Sequence, residues 1–161
     1  MLSKIIASIF IILILPIFLF FAFIIIISDG FPVFYIQRRI GKNNKHFFLY
    51  KLRTMKKNTP ELSTDLLDNP ENYYIRFGKL IRRSSVDEIP QLINIVKGEM
   101  NFIGPRPAYY KQYSLIELRT ENKIHKLKPG ITGWAQVNGR DQISDDTKVQ
   151  LDKYYLLNKG I

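Results

Sequence analysis

The sequence has no cysteine, which excludes disulfides and thiolate metal centres. It has only two histidines, His46 and His125, too far apart in sequence to form a ligand pair, and a histidine-based triad is not expected. Glycines are present, but in no Walker or dinucleotide-binding pattern. Helix-turn-helix, zinc-finger and RNA-binding signatures are also missing, so nucleic acid is not expected as a partner. No internal repeat is visible. From Ile5 to Ile27 there is no charged residue at all, and only Ser8 and Pro16 interrupt the apolar run.

That run is what the chain has most of. About 20 apolar residues suffice to cross a hydrocarbon core as a helix. A signal peptide has a shorter apolar core and a small-residue cleavage site, which is not seen after Ile27. Residues 1–28 therefore read as a retained membrane anchor and 29–161 as one catalytic domain. Pro16 removes a backbone donor near the middle of the run and bends a helix there. Two forms fit: a spanning helix with a tolerated kink, or a re-entrant helix–break–helix that returns to the same side. The net charge of +10 lies almost wholly beyond residue 28, which places the domain on the cytoplasmic face in either form. A basic, membrane-tethered domain faces anionic lipid or a polyanionic substrate.

Beyond the anchor, the pattern predicts an α+β, mostly helical domain with a small β-hairpin. Residues 31–40 and 46–55 read as strands about a turn at Gly41-Lys42-Asn43-Asn44. Residues 56–72 are polar, with Pro60 and Pro70, and read as a loop. Helices are expected over 73–83, 91–97 (stopped by Gly98), 111–127 and 145–157, the last capped by Ser144 or Asp145. In the third of these, Tyr113, Ile116, Ile124 and Leu127 are the expected inward positions. Phe102 to Pro107 reads as a rigid extended turn, and Lys128 to Arg140 as turns with a strand.

Chemistry is sought first at Ser85-Val86-Asp87-Glu88, after the basic pair Arg82-Arg83. Ser85 with Glu88 fits a capping box, in which both acids merely complement a helix N-terminus. If Pro90 is instead the first helical residue, Asp87 and Glu88 lie in the loop ahead of it. Adjacent acids do not flank a glycosidic bond from two sides, but they can divide labour as nucleophile and hard-cation ligand. Basic residues recur at Lys51 and Arg53, at Arg82 and Arg83, and at Arg106, whose backbone is restrained by Pro105 and Pro107. Arginine's planar fork suits phosphate oxygens. The three glycines of Lys128 to Arg140 read most simply as tight turns.

Several ordered motifs then carry a resemblance: Lys51-Leu52-Arg53-Thr54-Met55, Arg82 through Asp87-Glu88 to Pro90-Gln91-Leu92, Gly98-Glu99-Met100, Gly104-Pro105-Arg106-Pro107, and Lys128 to Arg140. The chain resembles the bacterial sugar transferases, monotopic polyprenyl-phosphate phosphoglycosyl transferases. It is most similar to the small capsular-polysaccharide type, also in Asp145 to Val149 and Asp152-Lys153-Tyr154-Tyr155. The resemblance implies transfer of a sugar phosphate from a UDP-sugar to undecaprenyl phosphate with release of UMP. It makes Asp87 the nucleophile and Glu88 the Mg²⁺ ligand, with Lys51, Arg82, Arg106, Gln136 and Arg140 binding substrate phosphate. It implies the re-entrant anchor kinked at Pro16, although Leu15 stands where the family usually has a polar residue. The capsular flavour implies a UDP-activated N-acetylated 6-deoxyhexosamine as donor, and later glycosyltransferases as partners. The family continues past the final Tyr-Tyr helix with a further apolar helix, so the chain reads as a shortened copy with exposed apolar surface. A shortened copy also fits a different role, that of a non-catalytic membrane scaffold in a glycan-assembly complex.

Overall fold

The computed structural model describes residues 2–60, 67–139 and 143–158. The apolar run forms one helix, α1, Leu2–Asp29, long and apolar enough to cross a membrane. Helical structure continues through Pro16, so the expected break there is not seen. Only Ala7, Ala22 and Ile25 of this helix are buried, with Ile11, Ile14, Phe18, Phe21 and Ile26 packed partly against the rest. The spacing of three and four residues is that of one helical stripe. Helix α1 therefore lies along the protein rather than projecting from it, with most of its remaining Ile, Leu and Phe side chains exposed.

Strands β1, Phe34–Ile40, and β2, His46–Leu52, form the expected antiparallel hairpin, closed by a 3₁₀ turn at Lys42–Asn44. Helix α2, Gly78–Arg83, is much shorter than the helix expected over 73–83. Phe77 enters the left-handed region at φ 66°, which breaks the run before Gly78. Gly78 is required there, since a Cβ would stand 2.1 Å from the Thr54 carbonyl oxygen. Helix α3, Gln91–Lys97, ends at Gly98 in the left-handed conformation, as its sequence predicts.

Strands β3, Asn101–Ile103, and β4, Gly130–Thr132, form a short parallel pair. Between them, α4 covers only Tyr113–Glu121, and Lys123 at φ 60° separates it from a 3₁₀ turn at Ile124–Lys126. Tyr113 was expected inward but is 73% exposed; Leu115 takes the buried position, together with Ile124. The short helix α5, Trp134–Val137, replaces one of the expected turns, and α6, Asp145–Asn158, completes the fold. The Ser144 hydroxyl caps α6 by accepting the Thr147 amide, 3.2 Å. The architecture is α+β with mostly helices and two small sheets.

Three apolar clusters hold these parts together. One joins Ala7 to Phe47 and Leu49 of β2 and to Leu92 and Ile95 of α3. A second joins Ala22 and Ile25 to Leu52, Ile75 and Ile81. The third lies among Ala108, Leu115, Ile124 and Val149. Helix α1 contributes to the first two, so it is part of the core.

Candidate active site

The Asp87–Glu88 turn sits between the first two clusters. Val86 packs on the cluster of Ile25 and Ile81, and Ile89 on that of Ala7 and Ile95. The two acids fall between these anchors on a 3₁₀ turn, Val86–Glu88, immediately before α3. Asn94, fully buried in α3, donates to the Phe48 carbonyl at 2.7 Å and accepts the Tyr50 amide at 3.3 Å. Its bonds fix α3, and the turn before it, against β2.

Of the two arrangements the sequence allows, the capping box does not form, and the acids lie just ahead of a helix that starts after Pro90. Ser85 adopts φ 59° and makes no side-chain cap, while the Glu88 carboxylate turns to cations. Glu88 Oε1 accepts one bond from Lys51 Nζ and one from Arg106 Nη2, each 2.9 Å. Burial alone would raise the Glu88 pKa, but Lys51 and Arg106 outweigh it and hold the group at about 2. Asp87 is the opposite case. It is 4% exposed, Lys51 Nζ is 3.9 Å from its Oδ2, and its buried Oδ1 has no hydrogen-bond partner among the described residues. Burial, reinforced by the Glu88 charge, pushes its pKa above the ordinary aspartate value against the pull of Lys51, Arg82 and Arg106. Burial, with Arg106 adding to it, lowers the pKa of Lys51 despite the two carboxylates.

Lys51, Arg82 and Arg106 thus converge electrostatically on the acids, as the sequence suggests. Arg82 also places Nη1 3.4 Å from Met55 Sδ. Arg53 does not join them; it is buried and binds the C-terminal end of α1 through the Asp29 carboxylate, 3.2 Å, and the Gly30 carbonyl, 2.6 Å. Gln136, on α5, donates to the Ile131 carbonyl at 3.5 Å, and its buried Oε1 has no hydrogen-bond partner among the described residues. Arg140 lies outside the described residues.

One cation was missed in the sequence. Arg39 faces the same side of the hairpin as Lys51, because Arg39 pairs with Phe47 and Tyr35 with Lys51 in the register. Its pKa is lowered to about 10 by burial and by Arg106, with Glu88 acting oppositely. The period-two pattern of β1 carried this signal, but only once the register was known.

The donor set suits a hard divalent cation. Two adjacent carboxylates are present, one with an orphaned buried oxygen, and both bonds to Glu88 fall on Oε1, leaving Oε2 outside them. Among the described residues no group of three or more acidic, histidine or cysteine side chains makes a cage. Mg²⁺ does not need one, since it is commonly held by one or two carboxylates with water and substrate phosphate.

The sequence profile described as bacterial sugar transferase matches residues 1–161. The chain belongs to that family. Among its relatives, the uncharacterized sugar transferase EpsL of Bacillus subtilis is 41% identical over 140 residues, covering 87% of this chain and 68% of EpsL. The UDP-N-acetylgalactosamine-undecaprenyl-phosphate N-acetylgalactosaminephosphotransferase of Aeromonas hydrophila is 36% identical over 149 residues, 89% of this chain and 35% of the relative. The undecaprenyl-phosphate galactose phosphotransferase of Salmonella typhimurium is 35% identical over 147 residues, 81% of this chain and 30% of the relative. This sugar transferase chain thus spans about two thirds of EpsL and about one third of the other two.

Proposed function

We propose that this sugar transferase moves a sugar phosphate from a UDP-sugar to undecaprenyl phosphate, the opening membrane step of capsule or exopolysaccharide assembly. The observation that carries the reading is the split between adjacent acids: Glu88 ion-paired by Lys51 and Arg106, Asp87 buried with an unpartnered oxygen. An Asp87 oxygen that is buried without a hydrogen bond is poorly stabilised and correspondingly nucleophilic. In the proposed first step an Asp87 oxygen bonds to the phosphorus nearer the sugar. The bond from that phosphorus to the bridging oxygen breaks, and UMP leaves with the electron pair. In the second step an oxygen of undecaprenyl phosphate bonds to the same phosphorus and the Asp87 carboxylate departs. Lys51, Arg82 and Arg106 offset the charge of anionic donor and dianionic acceptor. Glu88 would hold Mg²⁺, which when bound neutralises phosphate charge.

The same reading makes residues 1–28 an anchor and 29–161 the catalytic domain on the cytoplasmic face, an orientation supported by the Lys and Arg excess. The function is tested by incubating the chain with Mg²⁺, undecaprenyl phosphate and a panel of UDP-sugars. UMP release is expected with at least one donor, together with a phosphosugar adduct detectable on the Asp87 peptide by mass spectrometry. Release undiminished in Asp87→Asn would defeat the reading.

A further inference from the structure

Arg106 reaches Glu88 from a segment that has little backbone hydrogen-bonding capacity of its own. Pro105 and Pro107 have no N–H, so the stretch must be held by its carbonyls. Four successive carbonyls each accept a bond, and the donors come from three elements, β1, α4 and β4. Pro105 receives the Gly130 amide at 3.0 Å and Ala108 the Ile40 amide at 3.0 Å. The two carbonyls between them are taken by guanidinium groups: Arg119 Nη1 donates to Arg106 at 2.7 Å, and Arg39 Nη1 to Pro107 at 3.2 Å.

We infer that Arg119 and Arg39 are positioning residues, which grip the Arg106 and Pro107 carbonyls so that the Arg106 guanidinium is held on Glu88. The inference rests on the phosphoglycosyl transferase reading above. Each gripping arginine is itself held. Arg119 directs Nε and Nη2 to Asp152 Oδ2 at 3.0 and 2.6 Å, so α6 sets α4's arginine and offsets its buried charge. Arg39 lies over the Tyr109 ring, 5.6 Å from its centroid, and donates to Gln37 Oε1. A lysine has one nitrogen and no planar fork, so it does not hold a carboxylate and a carbonyl in this geometry at once. Asp152 and Arg119 thereby connect the last helix to the reacting centre without touching substrate.

A merely structural role is the competing account, in which Arg119–Asp152 only ties α4 to α6. A double-mutant cycle separates the two. Arg106→Ala, Arg119→Lys, Asp152→Asn and the double variant Arg106→Ala/Arg119→Lys are prepared as full chains, and their thermal midpoints recorded. UMP release is followed with UDP-N-acetylgalactosamine, or with another UDP-sugar that the wild-type chain turns over. Arg119→Lys is expected to lose about tenfold in kcat/KM, divided between kcat and KM as in Arg106→Ala. In the Arg106→Ala background Arg119→Lys then costs nothing further. Losses that multiply in the double variant overturn the inference, as does full kcat/KM in Arg119→Lys. If Arg119→Lys does not fold, Asp152→Asn and Arg39→Lys enter the same cycle. Wild-type UMP release by Asp87→Asn would sink the parent reading instead, and is scored separately.

Discussion

Asp87 and Glu88 are neighbours in sequence and opposites in environment. The difference comes from how closely the cations approach: Lys51 and Arg106 both bond Glu88 Oε1 at 2.9 Å, while Lys51 stands 3.9 Å from Asp87 and Arg82 and Arg106 act on it electrostatically. For Asp87, burial raises the pKa above 3.8, and the reactive form is the anion. Single-turnover UMP release without lipid phosphate is therefore expected to rise with pH, with a midpoint above the ordinary aspartate value. A midpoint at or below 3.8 would contradict the assignment of Asp87. For Glu88 the sign reverses. Its folded pKa of about 2 lies below the ordinary 4.5, so its ionisation stabilises the fold above pH 4.5. That contribution is lost as pH falls from 4.5 towards 2. The thermal midpoint should fall over this window, and less steeply in Glu88→Gln. Acids at a helix start are ordinary capping chemistry, so the pair was legible as a site only beside the basic residues of three segments and the ordered family motifs. Their division of labour was not, since it depends on Ser85 turning left-handed and on two cations arriving from distant segments.

Among the elements, the hairpin, α3 and α6 follow their sequence signals closely, because turn, stop and cap residues mark their ends locally. Helices predicted over 73–83 and 111–127 are cut short by Phe77 and Lys123, residues with no intrinsic preference for the left-handed conformation they adopt. Tertiary packing decides those two, and no local pattern announces it. Two glycines of Lys128 to Arg140, Gly130 and Gly133, serve backbone contact. A Cβ on Gly130 would lie 2.2 Å from the Gly104 nitrogen, and one on Gly133 2.1 Å from the Gly104 carbonyl oxygen. Both clashes are with backbone, which does not yield as a side chain does. Gly130→Ala is accordingly expected to cost about 3 kcal/mol, the upper end for overpacking, by forcing β3 and β4 apart. Chemical denaturation in detergent checks it; an unchanged midpoint would mean that the parallel pair opens freely. Because Pro105 accepts the Gly130 amide, activity should fall with it.

At the scale of the molecule, α1 is the element whose sequence was plainest and whose packing was least foreseeable. Twenty-three uncharged residues from Ile5 to Ile27 announce a membrane helix but not that its Ala7, Ala22 and Ile25 complete two cores. Deleting residues 2–29 uncovers Leu52 and Ile81 at one end and Leu92 and Ile95 at the other. At about 25 cal/mol per Å² of apolar surface, such exposure is severe for a domain of this size. The expected product is an aggregate in gel filtration; a monodisperse, folded 30–161 fragment would refute it. The lack of cysteine makes a complementary experiment simple. Single cysteines at Ile12 and Phe23, both exposed on α1, should resist a water-soluble maleimide in membranes and react in detergent-free, delipidated protein. The packing of α1 also has a temporal side. The helix leaves the ribosome before any of its protein partners exist, so its stripe meets lipid first and the hairpin and α3 must later displace that lipid. On the proposed function, delivery to the bilayer then precedes the closing of the reaction centre, and a newly made chain acquires its acid pair only where the proposed lipid acceptor resides.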